Sequence, residues 1–326
     1  MRIGIVGTGW FGSSHAEVLR QLGCDIAACY GTNPPKTKEF AQKFQARIFA
    51  SPIEMIAAGQ IDAVVVAVPP FAHADGVEQA AIGQGLPLLV EKPIGLDLNL
   101  CRQIARQAAS AGAVVAAGYL LRHCPLLEPA RQAISRNRLT SIRGTRMSNF
   151  PPPLWWRRME TSGGPMVEQT THQVDLIRYM FGEIQTVTAV TGRGIGPARF
   201  PGADVFDSME ALMTLEGGLI GSVGLASTFE NGFSKIAWFE AFGQDFYLCL
   251  DGTGLRYKEG KAEWVEMPMP KDSNLLKEQD RQFLQAAADK NPAGVKSPYA
   301  DALRTLEVTL AMNASAATGQ TVKLPL

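Results

Sequence analysis

Three groups of residues in this sequence have the type and spacing to do chemistry. The first is Gly7-Thr8-Gly9-Trp10-Phe11-Gly12, a GxGxxG that follows the apolar run Ile3-Gly4-Ile5-Val6 and opens a helical pattern. There the first glycine permits a tight turn, the second lets backbone approach a pyrophosphate, and the third allows close packing of helix on strand. The helix N-terminus that follows attracts negative charge. The second group is Glu91-Lys92-Pro93, placed after the buried-strand pattern Leu88-Leu89-Val90. Lys92 thus stands at the carboxyl end of a strand, where open α/β sheets place ligands, and its ammonium can hold a hydroxyl and stabilise developing alkoxide charge. The third is Glu168 and His172, on a helical pattern over 165–181 that Gly163-Gly164-Pro165 opens and Gly182 closes. At about 100° per residue, Glu168, His172, Asp175 and Tyr179 form one stripe facing water or a cleft, opposite Val167, Val174, Ile177 and Phe181. Histidine, which titrates near neutrality, suits the removal of a hydroxyl proton.

A site for NAD ordinarily carries an acid about 20 residues beyond the glycines, at the end of the second strand. Here that strand ends Tyr30-Gly31-Thr32-Asn33, with no carboxylate to repel a 2′-phosphate, and Thr32, Asn33, Lys36 and Lys38 offer donors. The reading favours NADP(H), with NAD(H) as the alternative. Tyr119 and Arg122, just past the sixth strand pattern, are candidates to line the substrate side. So are Trp155, Trp156 and Arg157, in a rigid loop after Phe150-Pro151-Pro152-Pro153. Sugar faces stack on aromatic rings, and arginine donates in a fixed fork. His15, His73 and His123 read as packing or loop residues. No HExxH or clustered Cys/His pattern is present, so no metal is expected.

The elements that must position these residues fall into two textures. Over residues 1–120, strand patterns at 3–6, 26–30, 47–49, 63–68, 88–90 and 114–117 alternate with helical ones at 11–22, 36–44, 73–84 and 98–111. That alternation is the mark of βαβ units on a parallel sheet. Beyond residue 140 the runs 185–191, 205–216, 219–228, 234–242 and 246–251, with turns at Glu216-Gly217-Gly218 and Gly243-Gln244-Asp245, predict a mainly antiparallel sheet. Helices are expected near 125–136, 165–181, 275–290 and 298–318. The expected fold is α/β: a Rossmann domain over 1–121, then an α+β substrate and oligomerisation domain over 122–326 with a large open sheet. An uncovered sheet face predicts a homodimer or homotetramer. Lys+Arg and Asp+Glu number 31 each, and no basic block occurs, which excludes an electrostatic footprint for nucleic acid or anionic lipid. No leader-like or membrane-spanning apolar stretch is evident, and five scattered cysteines lack any CxxC, so a cytoplasmic protein with reduced thiols is expected.

Taken together, the glycine motif, Glu91-Lys92-Pro93 and the segment from Gly163 through Glu168 and His172 to Leu176 resemble the Gfo/Idh/MocA oxidoreductase family. His15, the run Val68-Pro69-Pro70-Phe71-Ala72-His73 and the closing stretch through Asp301, Ser315 and Lys323 are also of that family's kind. The resemblance implies hydride transfer at a sugar, inositol or polyol carbon, with Pro69, His73, Glu91 and Lys92 among the cofactor contacts. The family's lysine falls on Lys92, and its Asp-x-x-x-His pair falls on Glu168 and His172. Glutamate for aspartate keeps the charge but lengthens the reach. Two other functions stand beside this one: a non-catalytic dinucleotide sensor, and a glycoside hydrolase that uses NAD through transient oxidation. Loss of Lys92 or His172 would favour the sensor; both are present.

Overall fold

The computed structural model describes residues 1–74, 76–230 and 235–326. Its first elements are β1 (Arg2–Val6), α1 (Trp10–Gln21), β2 (Asp25–Tyr30), α2 (Pro34–Phe44), β3 (Arg47–Ile48), α3 (Pro52–Ala57), β4 (Ala63–Val66), α4 (Val77–Gly83), β5 (Leu88–Val90), α5 (Leu98–Ala111) and β6 (Val115–Ala117). There follow α6 (Leu127–Ser135), β7 (Leu139–Asn149), α7 (Met159–Ser162), α8 (Thr171–Phe181), β8 (Ile184–Gly192), α9 (Gly196–Arg199), β9 (Ser208–Leu215), β10 (Ile220–Phe229), β11 (Ile236–Gly243), β12 (Phe246–Asp251), β13 (Gly254–Glu259) and β14 (Val265–Pro268). The chain closes with α10 (Leu275–Ala288), α11 (Tyr299–Thr318) and β15 (Val322–Lys323). These pack as two compact units, Met1–His123 with Asn274–Leu303, and Cys124–Ser273 with Arg304–Leu326.

Among the described residues of the first unit the six strands are all parallel, in the order β3-β2-β1-β4-β5-β6. Strands such as Ala63-Val64-Val65-Val66, at most 1% exposed, are apolar on both faces because helices cover both. Side chains cap the helix starts: Asn33 accepts from the Lys36 N–H, Ser51 from Glu54, and Asp97 from Asn99 and Leu100. Segment 274–303 joins this unit because Phe283 and Ala286 of α10 enter the core formed by Ile3, Ile5, Leu19, Ile26 and Val65. Burying one phenylalanine is worth about 1.5–3 kcal/mol.

Local differences from the sequence reading have local causes. The strand expected over 63–68 stops at Val66, since Pro69 and Pro70 lack the N–H a ladder needs, and a 3₁₀ turn runs Pro70–Ala74. The single helix expected over 73–84 is instead that turn followed by α4, with Gly76 left-handed at the N-cap; residue 75 lies outside the described residues. The short α3 was too brief for a periodic signal.

Among the described residues the second unit holds nine strands in the order β14-β13-β12-β11-β7-β10-β9-β8-β15. Among the described residues every pairing in this sheet is antiparallel except β7 with β10, which is parallel. Central β7 is missing from the sequence reading, and so are β13, β14 and β15. In β7 only Ile142, Gly144 and Ser148 are buried, so its sequence shows neither alternation nor an apolar run. The expected strands 185–191, 205–216, 219–228, 234–242 and 246–251 correspond to β8 to β12, residue 234 lying outside the described residues. One face carries Val187, Ala189, Met209, Ala211, Val223, Leu225 and Phe239, all at most 3% exposed. α8 packs on it, since a Cβ on Gly144 would lie 3.1 Å from Ile177, and α11 ties to β8 through Ser315 Oγ, which accepts the Ala189 N–H at 3.0 Å. The opposite face leaves Val190 and Leu212 67% exposed and Ile220 56%.

No helix among the described residues is long and apolar enough to cross a membrane. The thiols of Cys29, Cys101, Cys124 and Cys249 are buried and Cys24 is half-buried; burial pushes Cys29 and Cys101 up to about 11.

Candidate active site

The glycine loop is dictated by close approach. Gly7 has φ +102°, and a Cβ there would lie 2.2 Å from the Ala67 carbonyl oxygen; on Gly12 it would lie 1.8 Å from that of Gly7. Neither position admits a side chain. Gly9 differs, because among the described residues a Cβ on it meets nothing within 4 Å. It is the N-cap of α1, with no side-chain cap bond and no acid in the first turn. Open space beside uncapped helix N–H groups fits a dinucleotide pyrophosphate. Thr8 is nearly buried, Phe11 half-buried, and Trp10 stands 78% exposed at the loop edge.

At the end of β2 the missing acid has a steric reason. A Cβ on Gly31 would lie 2.3 Å from Thr8 Oγ1 and 2.5 Å from Thr37 Oγ1, hydroxyls that bond each other at 3.0 Å. Asn33 Oδ1 is used in capping α2, where it accepts the Lys36 N–H at 3.1 Å; the side chains of Thr32, Lys36 and Lys38 are exposed. Gly31→Asp is therefore expected to lower the melting temperature by several degrees, since overpacking costs about 1–3 kcal/mol. A thermal melt without cofactor checks this, and an unchanged midpoint would show that the two threonines yield.

Lys92 lies half-buried at the carboxyl end of β5, on the same edge of the parallel sheet as the glycine loop at the end of β1. Its N–H donates to Glu91 Oε2 at 3.3 Å. Glu91 is 4% exposed, with Oε1 3.0 Å from His15 Nε2, and His15 Nδ1 lies 3.0 Å from both oxygens of Asp280 on α10. Burial lowers the proton affinity of His15, but the two carboxylates prevail and push it up to about 10. His15 thus does more than fill space, and Asp280, 265 residues away, carried no sequence signal. His73 is 2% exposed and its Nδ1 pairs with Glu78 Oε1 at 2.7 Å; Pro69 sits just before this turn.

Tyr119 has no exposed surface, and Arg122 is 3% exposed, bonded to the Lys296 carbonyl at 2.8 Å and to Asp301. Both serve the interior of the first unit. His123 is also buried, and desolvation lowers it to about 4. Stability from its neutral form is present above pH 6.5 and is lost as pH falls toward 4.

In the second unit, Met166–Thr170 is a π-helical turn leading into α8, not the regular helix expected over 165–181. Such turns recur at functional sites. The predicted stripe does not hold: three residues past His172 in the regular turns of α8, Asp175 is fully buried and accepts from the Thr305 hydroxyl at 3.0 Å. Glu168 and His172 remain half-buried and Tyr179 half-buried further along. Glu168 Oε2 accepts the Trp156 indole N–H at 2.6 Å. Trp156 is 1% exposed, edge-on to Phe150 at 5.2 Å, so its ring offers no face for stacking. Beside it, Gln169 Oε1 accepts from the Ser148 hydroxyl at 2.7 Å and the Arg146 Nε at 3.4 Å. Burial lowers the Arg146 guanidinium against the pull of Glu168. The sequence reading missed Arg146 and Ser148 because they ride on the strand it missed. Trp155 and Arg157 are half-buried, with Arg157 stacked on Phe200 at 3.8 Å. No group of three or more His, Cys, Asp or Glu suited to a metal occurs among the described residues.

Residues 1–119 match a model described as an oxidoreductase family with NAD-binding Rossmann fold, and residues 130–245 match the GFO/IDH/MocA C-terminal domain. The myo-inositol dehydrogenase Hyg17 of Streptomyces leeuwenhoekii is 24% identical, over 100% of both chains. The rhizopine catabolism protein MocA of Rhizobium meliloti is 27% identical, over 94% of this chain and 92% of its own. The crystal structure of GenD2 from gentamicin A biosynthesis, in complex with NAD, superposes with a TM-score of 0.84 at 26% identity, covering 100% of this chain and 97% of that one. With both domain models matched in order along one chain, the protein belongs to the Gfo/Idh/MocA family of NAD-binding oxidoreductases.

Proposed function

We propose that this oxidoreductase oxidises a secondary hydroxyl of a sugar, inositol or related polyol, or reduces the matching carbonyl, with Lys92, His172 and Glu168 as its reacting side chains. The observation that carries the reading is the placement of Lys92 on the sheet edge that also bears the Gly7–Gly12 loop. The nicotinamide, when bound, supplies the hydride acceptor or donor. Lys92 holds and polarises the hydroxyl, and His172 takes its proton. Glu168, fixed by the Trp156 indole, sets a negative charge one turn before His172. Trp155 and Arg157 are the half-exposed candidates for the substrate side. The myo-inositol dehydrogenase relative directs the first test: a panel of inositols, hexoses and polyols with each cofactor, read at the reduced-nicotinamide absorbance. Turnover of at least one is expected; none would refute the reading.

The finer cofactor choice follows from the end of β2. With no carboxylate there and Thr32, Asn33, Lys36 and Lys38 nearby, NADP is expected to bind more tightly than NAD. Titration calorimetry decides, and NAD binding about tenfold tighter, or about 1.4 kcal/mol, would reverse the assignment. The open sheet face bearing Val190, Leu212 and Ile220 suits a second copy of the chain, giving a homodimer or homotetramer. Light scattering at micromolar concentration is expected to give a multiple of the chain mass, and a monomer would refute this. The inert buried thiols suit a reducing, cytoplasmic setting.

A further inference from the structure

The buried triad Asp280–His15–Glu91 joins α10, α1 and the end of β5 within the first unit, and the activity just proposed makes no direct use of it. We propose that His15 is a positioning residue: as an imidazolium clamped between Asp280 and Glu91, it fixes the Glu91 carboxylate and, through it, the backbone that presents Lys92. The inference rests on the reading of Lys92 as the group that polarises the substrate.

The geometry states the protonation. His15 Nδ1 faces Asp280 Oδ1 and Oδ2 at 3.0 Å, and Nε2 faces Glu91 Oε1 at 3.0 Å. A neutral imidazole has one N–H and would turn a lone pair toward one carboxylate, whereas the imidazolium donates to both. His15 and Asp280 have no exposed surface. Charges without solvent persist only when paired and hydrogen-bonded, and this chain satisfies that with one cation between two anions. The other groups around the triad are the Cys24 thiol, which burial and then Asp280 raise, the adjacent Gln279 amide, which favours the Asp280 carboxylate against its burial, and the Phe11 ring, 6.4 Å from His15.

Glu91 is the link to the site. Its Oε2 accepts the Lys92 N–H, while its Oε1 occupies the space a Cβ on Gly118 would need, 2.3 Å away. Gly118 in turn donates its N–H to the Val90 carbonyl at 2.8 Å, so the carboxylate is wedged between His15 and the backbone after β6. Without the imidazolium, two buried carboxylates repel each other, and Glu91 is the one able to move Lys92. A misplacement of about 1 Å at a reacting group costs on the order of 10²-fold in rate.

The test begins with the NAD-saturated protein labelled with ¹⁵N in histidine, its His15 resonances assigned by their loss in His15→Gln. Both ring nitrogens are expected to show the imidazolium signature from pH 6 to beyond pH 9, because the group titrates at about 10. A neutral ring at pH 7.5 would overturn the proposal. Stability from the cation is complete below the unfolded value of 6.5 and is lost as pH rises through about 10. Turnover of the best panel substrate then separates roles. His15→Gln is expected to lower kcat about 10–100-fold, with the NAD dissociation constant within about threefold of wild type. In a Lys92→Ala background the same change is expected to cost no more than about twofold, since His15 acts through Lys92. Equal losses in both backgrounds would overturn the positioning role alone, whereas wild-type turnover in Lys92→Ala would refute the reading beneath it. If His15→Gln does not fold, Asp280→Asn keeps the shape and the Glu91 bond while removing one anion. Its alkaline limb of kcat is expected to move down by about one pH unit or more, and an unmoved limb would overturn the proposal.

Discussion

Lys92→Ala is expected to lower kcat by at least about 10²–10³-fold, the cost of deleting one preorganised group aimed at developing negative charge. The cofactor dissociation constant should stay close to wild type, because the Gly7 to Gly12 loop proposed to hold the pyrophosphate offers backbone and does not depend on the Lys92 side chain. The loss should appear in kcat and in kcat/KM alike, the pattern for an interaction made in the transition state. Lys92→Arg should recover little, since a planar fork on a differently shaped stem does not reproduce a compact ammonium. Steady-state kinetics with calorimetry checks each part, and wild-type turnover in Lys92→Ala would remove the residue from the mechanism.

His172→Ala is expected to cost about 10²–10⁴-fold in kcat, the usual contribution of a positioned base, with partial recovery as pH rises and hydroxide replaces the imidazole. If both residues serve one proton transfer, the variant lacking both should lose far less than the product of the single losses. Full multiplicative loss would assign them separate roles. Glu168→Gln is the milder companion: its oxygen still accepts the Trp156 indole N–H, so any loss reports the charge.

The parts of this arrangement that were legible in the sequence are those specified by neighbours along the chain. Gly7 and Gly12 each answer a local demand of one turn, and Lys92 comes, after Glu91, at the end of three apolar residues that are fully buried. His172 was visible as a polar residue on an amphipathic helix, but its neighbours were misplaced. Asp175, three residues further along the same regular helix, is covered by α11, whose Thr305 bonds it, and that long-range packing carries no mark in the local pattern. β7 was invisible because a central strand with Arg143, Thr145 and Arg146 on it lacks the apolar run that marks buried strands. Tyr119, Arg122 and Trp156 were selected for chemical type, yet the fold uses their size and donors inside each unit. The His15–Asp280 contact spans 265 residues, and only the folded chain brings the two together.

The central claim is hydride transfer between a sugar or polyol carbon and the nicotinamide, and isotope transfer tests it most directly. A ring-deuterated polyol from the active end of the panel is incubated with NAD⁺ or NADP⁺, and the reduced cofactor is weighed by mass spectrometry, with Lys92→Ala as control. The account predicts one deuterium carried into the reduced cofactor by the wild-type protein and a rate of transfer lowered at least about 10²-fold in the variant. Reduced cofactor without deuterium, or equal transfer by both proteins, would contradict it.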